Sequence, residues 1–138
     1  MAIARLPRLL IADDCVDALE MWAFFFRASG YDVLTASNGT DALARAQRAH
    51  PDAVLLDLQL PGMSGIDVAG RLRAAPATSH IPLIAVTGYA KGPEHAEAAK
   101  AGFTCVMVKP CDPAGLLQEV ENAISGHRAS AKRLTSSG

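Results

Sequence analysis

Five short apolar runs, at residues 8–12, 32–36, 53–56, 82–86 and 105–108, recur along the chain with helix-patterned segments between them. Runs this short, apolar on both faces, suit strands of a parallel sheet that is covered by helices on either side. The segments between them carry helix punctuation. Asn38 stands three residues before Asp41 and Ser64 three before Asp67, both resembling capping boxes with Asp in place of the usual Glu or Gln. Asp112-Pro113 reads as an N-cap followed by a first-turn proline, after which Leu116, Leu117, Val120 and Ile124 recur on one face. Gly30 and Gly102 each follow a helical stretch, where a left-handed cap is expected. Five strand–helix units predict an α/β, doubly wound (βα)5 architecture around one parallel sheet. No segment repeats another.

Composition narrows the function. The chain has 138 residues, room for one domain of common size. Its 13 basic residues nearly balance 14 acidic ones, for a net charge of -1 with no basic block. Nucleic acid is therefore not expected as the main partner, because phosphate binding needs clustered Lys and Arg. No apolar run reaches the ~18 residues of a membrane span, and the N-terminus lacks the apolar stretch of a signal peptide. Half the residues are hydrophobic, which excludes wholesale disorder. The expectation is a cytoplasmic, non-membrane domain at residues 8–125 followed by a polar, flexible tail at 126–138. The three cysteines form no CxxC pair and their odd number excludes a fully paired disulfide framework within one chain. Cys105 lies in an apolar run and reads as packing.

Two helices stand out. On the first, Val16, Leu19, Trp22, Ala23 and Phe26 share a face at about 100° per residue. Met21, Phe24 and Phe25 point away from it, so this helix is either buried on both sides or touches a partner. The helix expected at residues 93–101 is the opposite case. Its apolar residues are alanines, which bury little area and mark a segment free to shift, unless alanine propensity holds it firmly.

In open α/β sheets the ligand binds outside the carboxyl ends of the strands. The first run ends in Asp13-Asp14, the third in Asp57, the fourth in Thr87 and the fifth in Lys109-Pro110. Singly, each has a structural reading: an Asp as a helix N-cap, a Thr as filler, a Lys-Pro as a turn. If these strands are neighbours, three carboxylates, a hydroxyl and an ammonium converge on one spot. Clustered carboxylates repel unless a cation neutralises them, and oxygen-only ligands favour a hard ion such as Mg2+. A metal held by Asp beside a Lys suits phosphoryl chemistry. No glycine-rich phosphate loop follows the first strand, so the reading is phosphoryl transfer without a nucleotide, with a carboxylate as acceptor.

With these residues in hand, the sequence resembles the receiver domain of two-component response regulators. The matching residues are Asp13-Asp14, Leu56-Asp57-Leu58-Gln59-Leu60-Pro61-Gly62-Met63-Ser64-Gly65, Thr87-Gly88-Tyr89 and Lys109-Pro110, within a resemblance spanning 8–124. It implies the flavodoxin-like strand order 2-1-3-4-5. It further implies that Asp57 is the phosphoacceptor, taking a phosphoryl group from a phosphohistidine on a histidine kinase or histidine phosphotransfer protein. Asp14, Asp57 and the backbone carbonyl of Gln59 would bind Mg2+, and Asp13 would hold its water. Thr87 would hydrogen-bond the phosphoryl group and Lys109 would pair with it, across a cis Lys109-Pro110 bond. Phosphorylation would draw Thr87 and the following loop inward and shift a two-state balance.

Val106 stands where the family usually carries an aromatic switch residue, and Tyr89 would either substitute for it or simply cover the site. Gln59 and Tyr89 occupy positions that tune phosphoryl lifetime. Met21, Phe24 and Phe25 would dock on a helical bundle. Cys15 and Cys111 flank the site, where packing and redox sensing are both open.

The chain is thus expected to act as a stand-alone, non-enzymatic receiver that switches contacts with an output protein, with homodimerisation open. One alternative is a receiver belonging to a hybrid histidine kinase. The other is a small Mg2+-dependent phosphatase with an Asp nucleophile, which would ordinarily need an Asp-x-Asp pair and a cap.

Overall fold

The computed structural model describes residues 5–88 and 93–136, with the side chains of 93–95 and 128–136 outside that description. Strands β1 (Arg8–Ala12), β2 (Asp32–Ala36), β3 (Ala53–Asp57), β4 (Leu83–Thr87) and β5 (Cys105–Val108) alternate with five helices. These are α1 (Val16–Ala28), α2 (Gly39–Ala49), α3 (Gly65–Ala74), α4 (Pro93–Lys100) and α5 (Pro113–Ser136). All five strands are parallel and lie in the order β2-β1-β3-β4-β5, the doubly wound, flavodoxin-like order expected. The chain runs outward from β1 to β2, then crosses back past β1 to β3. At that reversal the loops part, opening a crevice at the carboxyl edge.

Strand alternation sorts the core into two layers, because successive side chains on a strand face opposite sides of the sheet. Leu9, Ile11, Leu55, Ile84 and Val86 pack with Leu19, Ala23 and Phe26 of α1 and Leu116, Val120 and Ile124 of α5. Leu10, Ala12, Val54, Leu56, Leu83 and Ala85 face the other way, onto Ala42 and Ala46 of α2, Val68 and Leu72 of α3, and Ala98 of α4. The strands are therefore apolar on both faces because both faces are covered.

The helix ends follow their sequence signals. Asn38 Oδ1 accepts from the Asp41 N–H at 2.8 Å and Ser64 Oγ from the Asp67 N–H at 3.2 Å. Gly30 and Gly102 adopt φ of 99° and 96°. Among its described side chains α4 buries only Ala98, so alanine does form its thin anchor. Arg73 ties this region together: its guanidinium donates to the carbonyls of Gly102, Ile81 and Ser79 at 2.6–3.1 Å.

The structure departs from expectation in three places. Val16 is 56% exposed rather than on the buried face of α1. As the first residue of the helix it faces the hollow shared by Phe24, Ser37 and Arg45. Phe25 is half-buried rather than turned away, its ring edge-on to Trp22 and Phe26 at centroid distances of 6.1 and 5.3 Å. The backbone of α5 stays helical through Ser136, where a flexible tail was expected from residue 126. No proline follows Pro113, and Ala, Arg and Lys in that stretch are good helix formers.

Candidate functional site

Asp13 follows β1 and is held from three sides. Its N–H donates to the Ala36 carbonyl at 3.1 Å, its Oδ1 accepts from the Cys15 N–H at 2.9 Å, and its Oδ2 lies 3.3 Å from Lys109 Nζ. The Cys15 bond also seats the first turn of α1, whose N-cap Cys15 makes no side-chain cap bond of its own. Asp57 is the last residue of β3. Its Oδ1 accepts from the Gln59 N–H at 2.9 Å and its Oδ2 pairs with Lys109 Nζ at 2.8 Å. Both carboxylates are buried, whereas Asp14 is exposed.

Lys109 reaches them from the end of β5. Its N–H donates to the Thr87 carbonyl at 2.7 Å, locking the last residue of β4 to the start of the β5–α5 loop. The Lys109-Pro110 peptide is cis, as the family resemblance implied. Partial burial works against the Lys109 ammonium. The hydrogen bond and charge of Asp57, with Asp13 behind it, outweigh that and hold its pKa above the ordinary lysine value. Thr87 is 1% exposed at the same edge.

One carboxylate oxygen from each of Asp13, Asp14 and Asp57 lies within 4.8 Å of the others. Three oxygens at that spacing, two of them on buried groups and with one ammonium among them, match the donor chemistry of a hard divalent cation such as Mg2+. The residues present therefore fit the ion that the family resemblance implied.

Sequence reasoning brought Asp13, Asp14, Asp57, Thr87 and Lys109 to one edge, and the fold places them there. Gln59 is exposed beside them and engages Asp57 through its N–H. Val106 is half-buried against the layer beneath α2, α3 and α4. Tyr89 lies outside the described residues. Met21 and Phe24 are 55% and 77% exposed on α1.

Two features escaped the sequence. The first is a pair of glycines at close approaches. A Cβ on Gly65 would overlap the Asp57 carbonyl and come within 2.8 Å of Leu58 Cα, so α3 can start against the end of β3 only with glycine there. A Cβ on Gly39 would collide with the Met63 carbonyl. The second is a cavity of about 220 Å3 between α1 and α5, walled by Trp22, Met21, Leu116 and Cys111 and reaching Asp57 and Lys109 at its polar end. Burial raises the pKa of the Cys111 thiol there, with the Lys109 charge opposing it.

The response regulator receiver domain family matches residues 9–121. An uncharacterized 14.6 kDa protein from the sodA1 3' region of Leptolyngbya boryana is 32% identical over 113 residues, 82% of this chain and 86% of that protein. The DNA-binding response regulator MtrA of Mycobacterium tuberculosis is 35% identical over 113 residues, and there the chain spans 48% of the relative. The charge-based expectation of no nucleic-acid partner therefore does not extend to such longer relatives.

Among solved structures, a CheY-like receiver domain protein from Methanospirillum hungatei superposes with a TM-score of 0.86 at 25% identity, covering 91% of this chain and 99% of that one. The receiver domain of sensor histidine kinase PA1611 from Pseudomonas aeruginosa, with a magnesium ion coordinated in its active site cleft, gives 0.82 at 26% identity, covering 88% and 99%. From its first strand to its last helix, through an acidic edge built as the motifs require, this chain belongs to the response regulator receiver domain family of two-component signalling.

Proposed function

We propose that Asp57 is the phosphoacceptor of this receiver. The observation that carries the reading is the Lys109 ammonium 2.8 Å from an Asp57 oxygen, within a cluster of three carboxylates. A carboxylate oxygen of Asp57 attacks the phosphorus of a phosphohistidine on a histidine kinase or histidine phosphotransfer protein. The O–P bond forms as the P–N bond breaks, and the electron pair returns to the imidazole nitrogen, which takes up a proton. Asp14, Asp57 and the Gln59 carbonyl would hold Mg2+, with Asp13 holding a water of the ion beside them. When bound, the ion offsets the carboxylate repulsion and draws charge from the phosphoryl oxygens. Lys109 then exchanges its contact with Asp57 for the new phosphoryl group, and the Thr87 hydroxyl donates to it.

Receivers of this family work with histidine kinases and output domains. In this chain, the added charge at the sheet edge biases the Thr87 loop and the thinly anchored α4. Val106 stands in the place of the usual aromatic switch residue, and Tyr89 takes that role. Gln59 and Tyr89 set how long the phosphoryl group lasts. The exposed Met21 and Phe24, with the edge of Phe25, dock α1 on the donor's helical bundle. Similarity to the PA1611 receiver, part of a sensor histidine kinase, favours a second reading, a receiver belonging to a hybrid kinase.

The test is incubation with acetyl phosphate and Mg2+, then borohydride trapping and peptide mass mapping. One phosphoryl group on Asp57 is the expected result. An equal yield of adduct in Asp57→Asn overturns the assignment.

A further inference from the structure

His80 and His127 face each other at the opposite edge of the sheet from the acidic site. His80 lies in the loop before β4 and His127 on α5, with ring centroids 5.4 Å apart and planes 25° from parallel. They border a hollow of about 420 Å3 that is also lined by Pro82 and Thr104, the residues just before β4 and β5, and by Ser79 and Asn122. Nothing in the phosphoacceptor chemistry uses them.

We propose that His80 and His127 form a binding site for a late first-row divalent cation, Zn2+ or Ni2+, which clips α5 to the α3–β4 loop. Imidazole nitrogen suits these ions, whereas the oxygen-only cluster at the other edge suits Mg2+, so one chain sorts two classes of cation by donor chemistry. The spacing is right. Two metal–nitrogen bonds of about 2.1 Å each, plus the ring radius on either side, reach across 5.4 Å at a bent angle once each ring turns its nitrogen edge inward. Thr104 and Ser79 line the same hollow and carry hydroxyl oxygens for the remaining positions, and Asn122 adds an amide oxygen, Oδ1, which accepts from Gln118 Nε2 at 2.9 Å. Arg73 also borders it, but its guanidinium is committed to the carbonyls of Ser79, Ile81 and Gly102. The two histidines belong to elements far apart in sequence, so a shared ion would bind the folded chain in preference to the unfolded one and add to its stability.

The experiment titrates the full chain with Ni2+ in excess Mg2+, which keeps the acidic cluster occupied, and reads binding by calorimetry and paramagnetic broadening in NMR spectra. One equivalent of Ni2+ is expected, with broadening centred on residues 80 and 127 and reversed by Zn2+. His80→Gln and His127→Gln should each weaken binding about tenfold or more, since each removes one of two nitrogen ligands, while His50→Gln should leave it unchanged. Unchanged affinity in both site variants overturns the proposal, as does broadening centred on Asp13, Asp57 or the cysteines. Asp57 phosphorylation is measured separately and does not enter either outcome.

Discussion

Lys109 is the residue on which the acidic edge turns. It is the cation paired with Asp57 and Asp13, and it holds one Asp57 oxygen while the Gln59 N–H holds the other. Replacing it with alanine should slow phosphorylation by acetyl phosphate about tenfold or more, equivalent to roughly 1.4 kcal/mol of transition-state stabilisation. Mg2+ affinity should hold or rise in the same variant, because a competing positive charge has gone. Stopped-flow quenching of Trp22 fluorescence against Mg2+ and donor concentration separates the two effects.

Cys105 gives a pH signature elsewhere in the fold. Its thiol is 3.5 Å from Glu119 Oε2, and burial, then the Glu119 charge and hydrogen bond, push its pKa from 9.0 up to about 11. The folded chain keeps that proton where the unfolded chain releases it. The Cys105 contribution to stability is therefore intact below about pH 9 and is lost as the pH rises toward 11. Between pH 8 and 10.5 the melting temperature of the native chain should fall more steeply than that of Cys105→Ala. Parallel slopes would remove Cys105 as the cause.

At the scale of elements, α1 divides its aromatic residues between two jobs. Phe26 is fully buried beneath the sheet, in edge contact with Tyr31 at 5.6 Å, while Phe24 is 77% exposed. Phe26→Ala should cost about 3–5 kcal/mol in urea unfolding. Phe24→Ser should change stability by no more than about 0.5 kcal/mol yet slow phosphotransfer from a cognate kinase while leaving acetyl phosphate reactivity intact. Equal losses with both donors would deny α1 a docking role. The β3–α3 junction tests how tightly an element can constrain the site. Gly65→Ala forces α3 off the end of β3, so it should destabilise the fold by about 1–3 kcal/mol and slow Asp57 phosphorylation by displacing the Asp57 backbone, with no change to the carboxylates or to Lys109.

Across the whole molecule, a near-neutral balance conceals concentrated charge. Asp13, Asp14 and Asp57 crowd one edge, and Lys109 is ion-paired there with Asp13 and Asp57. Folding gathers that repulsion and a bound cation offsets it. Mg2+ at about 100 times its dissociation constant should therefore raise stability by about 2.7 kcal/mol, read as a higher melting temperature. Asp14→Asn should abolish most of the rise, and an undiminished rise in that variant would place the ion elsewhere.

Much of this was legible in the order of residues. Strand periodicity, the Asn38 and Ser64 caps, and the polar residue ending each run are local signals, carried by backbone sterics and by hydrogen bonds spanning three or four residues. They were enough for the five strands and for the polar residue at the end of each, Asp13, Asp57 and Lys109 among them, whereas the strand order followed from the family resemblance. What depended on packing between distant segments was decided only in three dimensions. Phe25 folded down against Trp22, Val16 was left facing solvent, and Gly39 and Gly65 proved to be contact points, because a sequence does not record which surface will press on a given Cβ. The pairing of His80 with His127 has the same origin. Nothing local relates a loop residue to one on α5, and only the closing of the parallel sheet brings the two rings together.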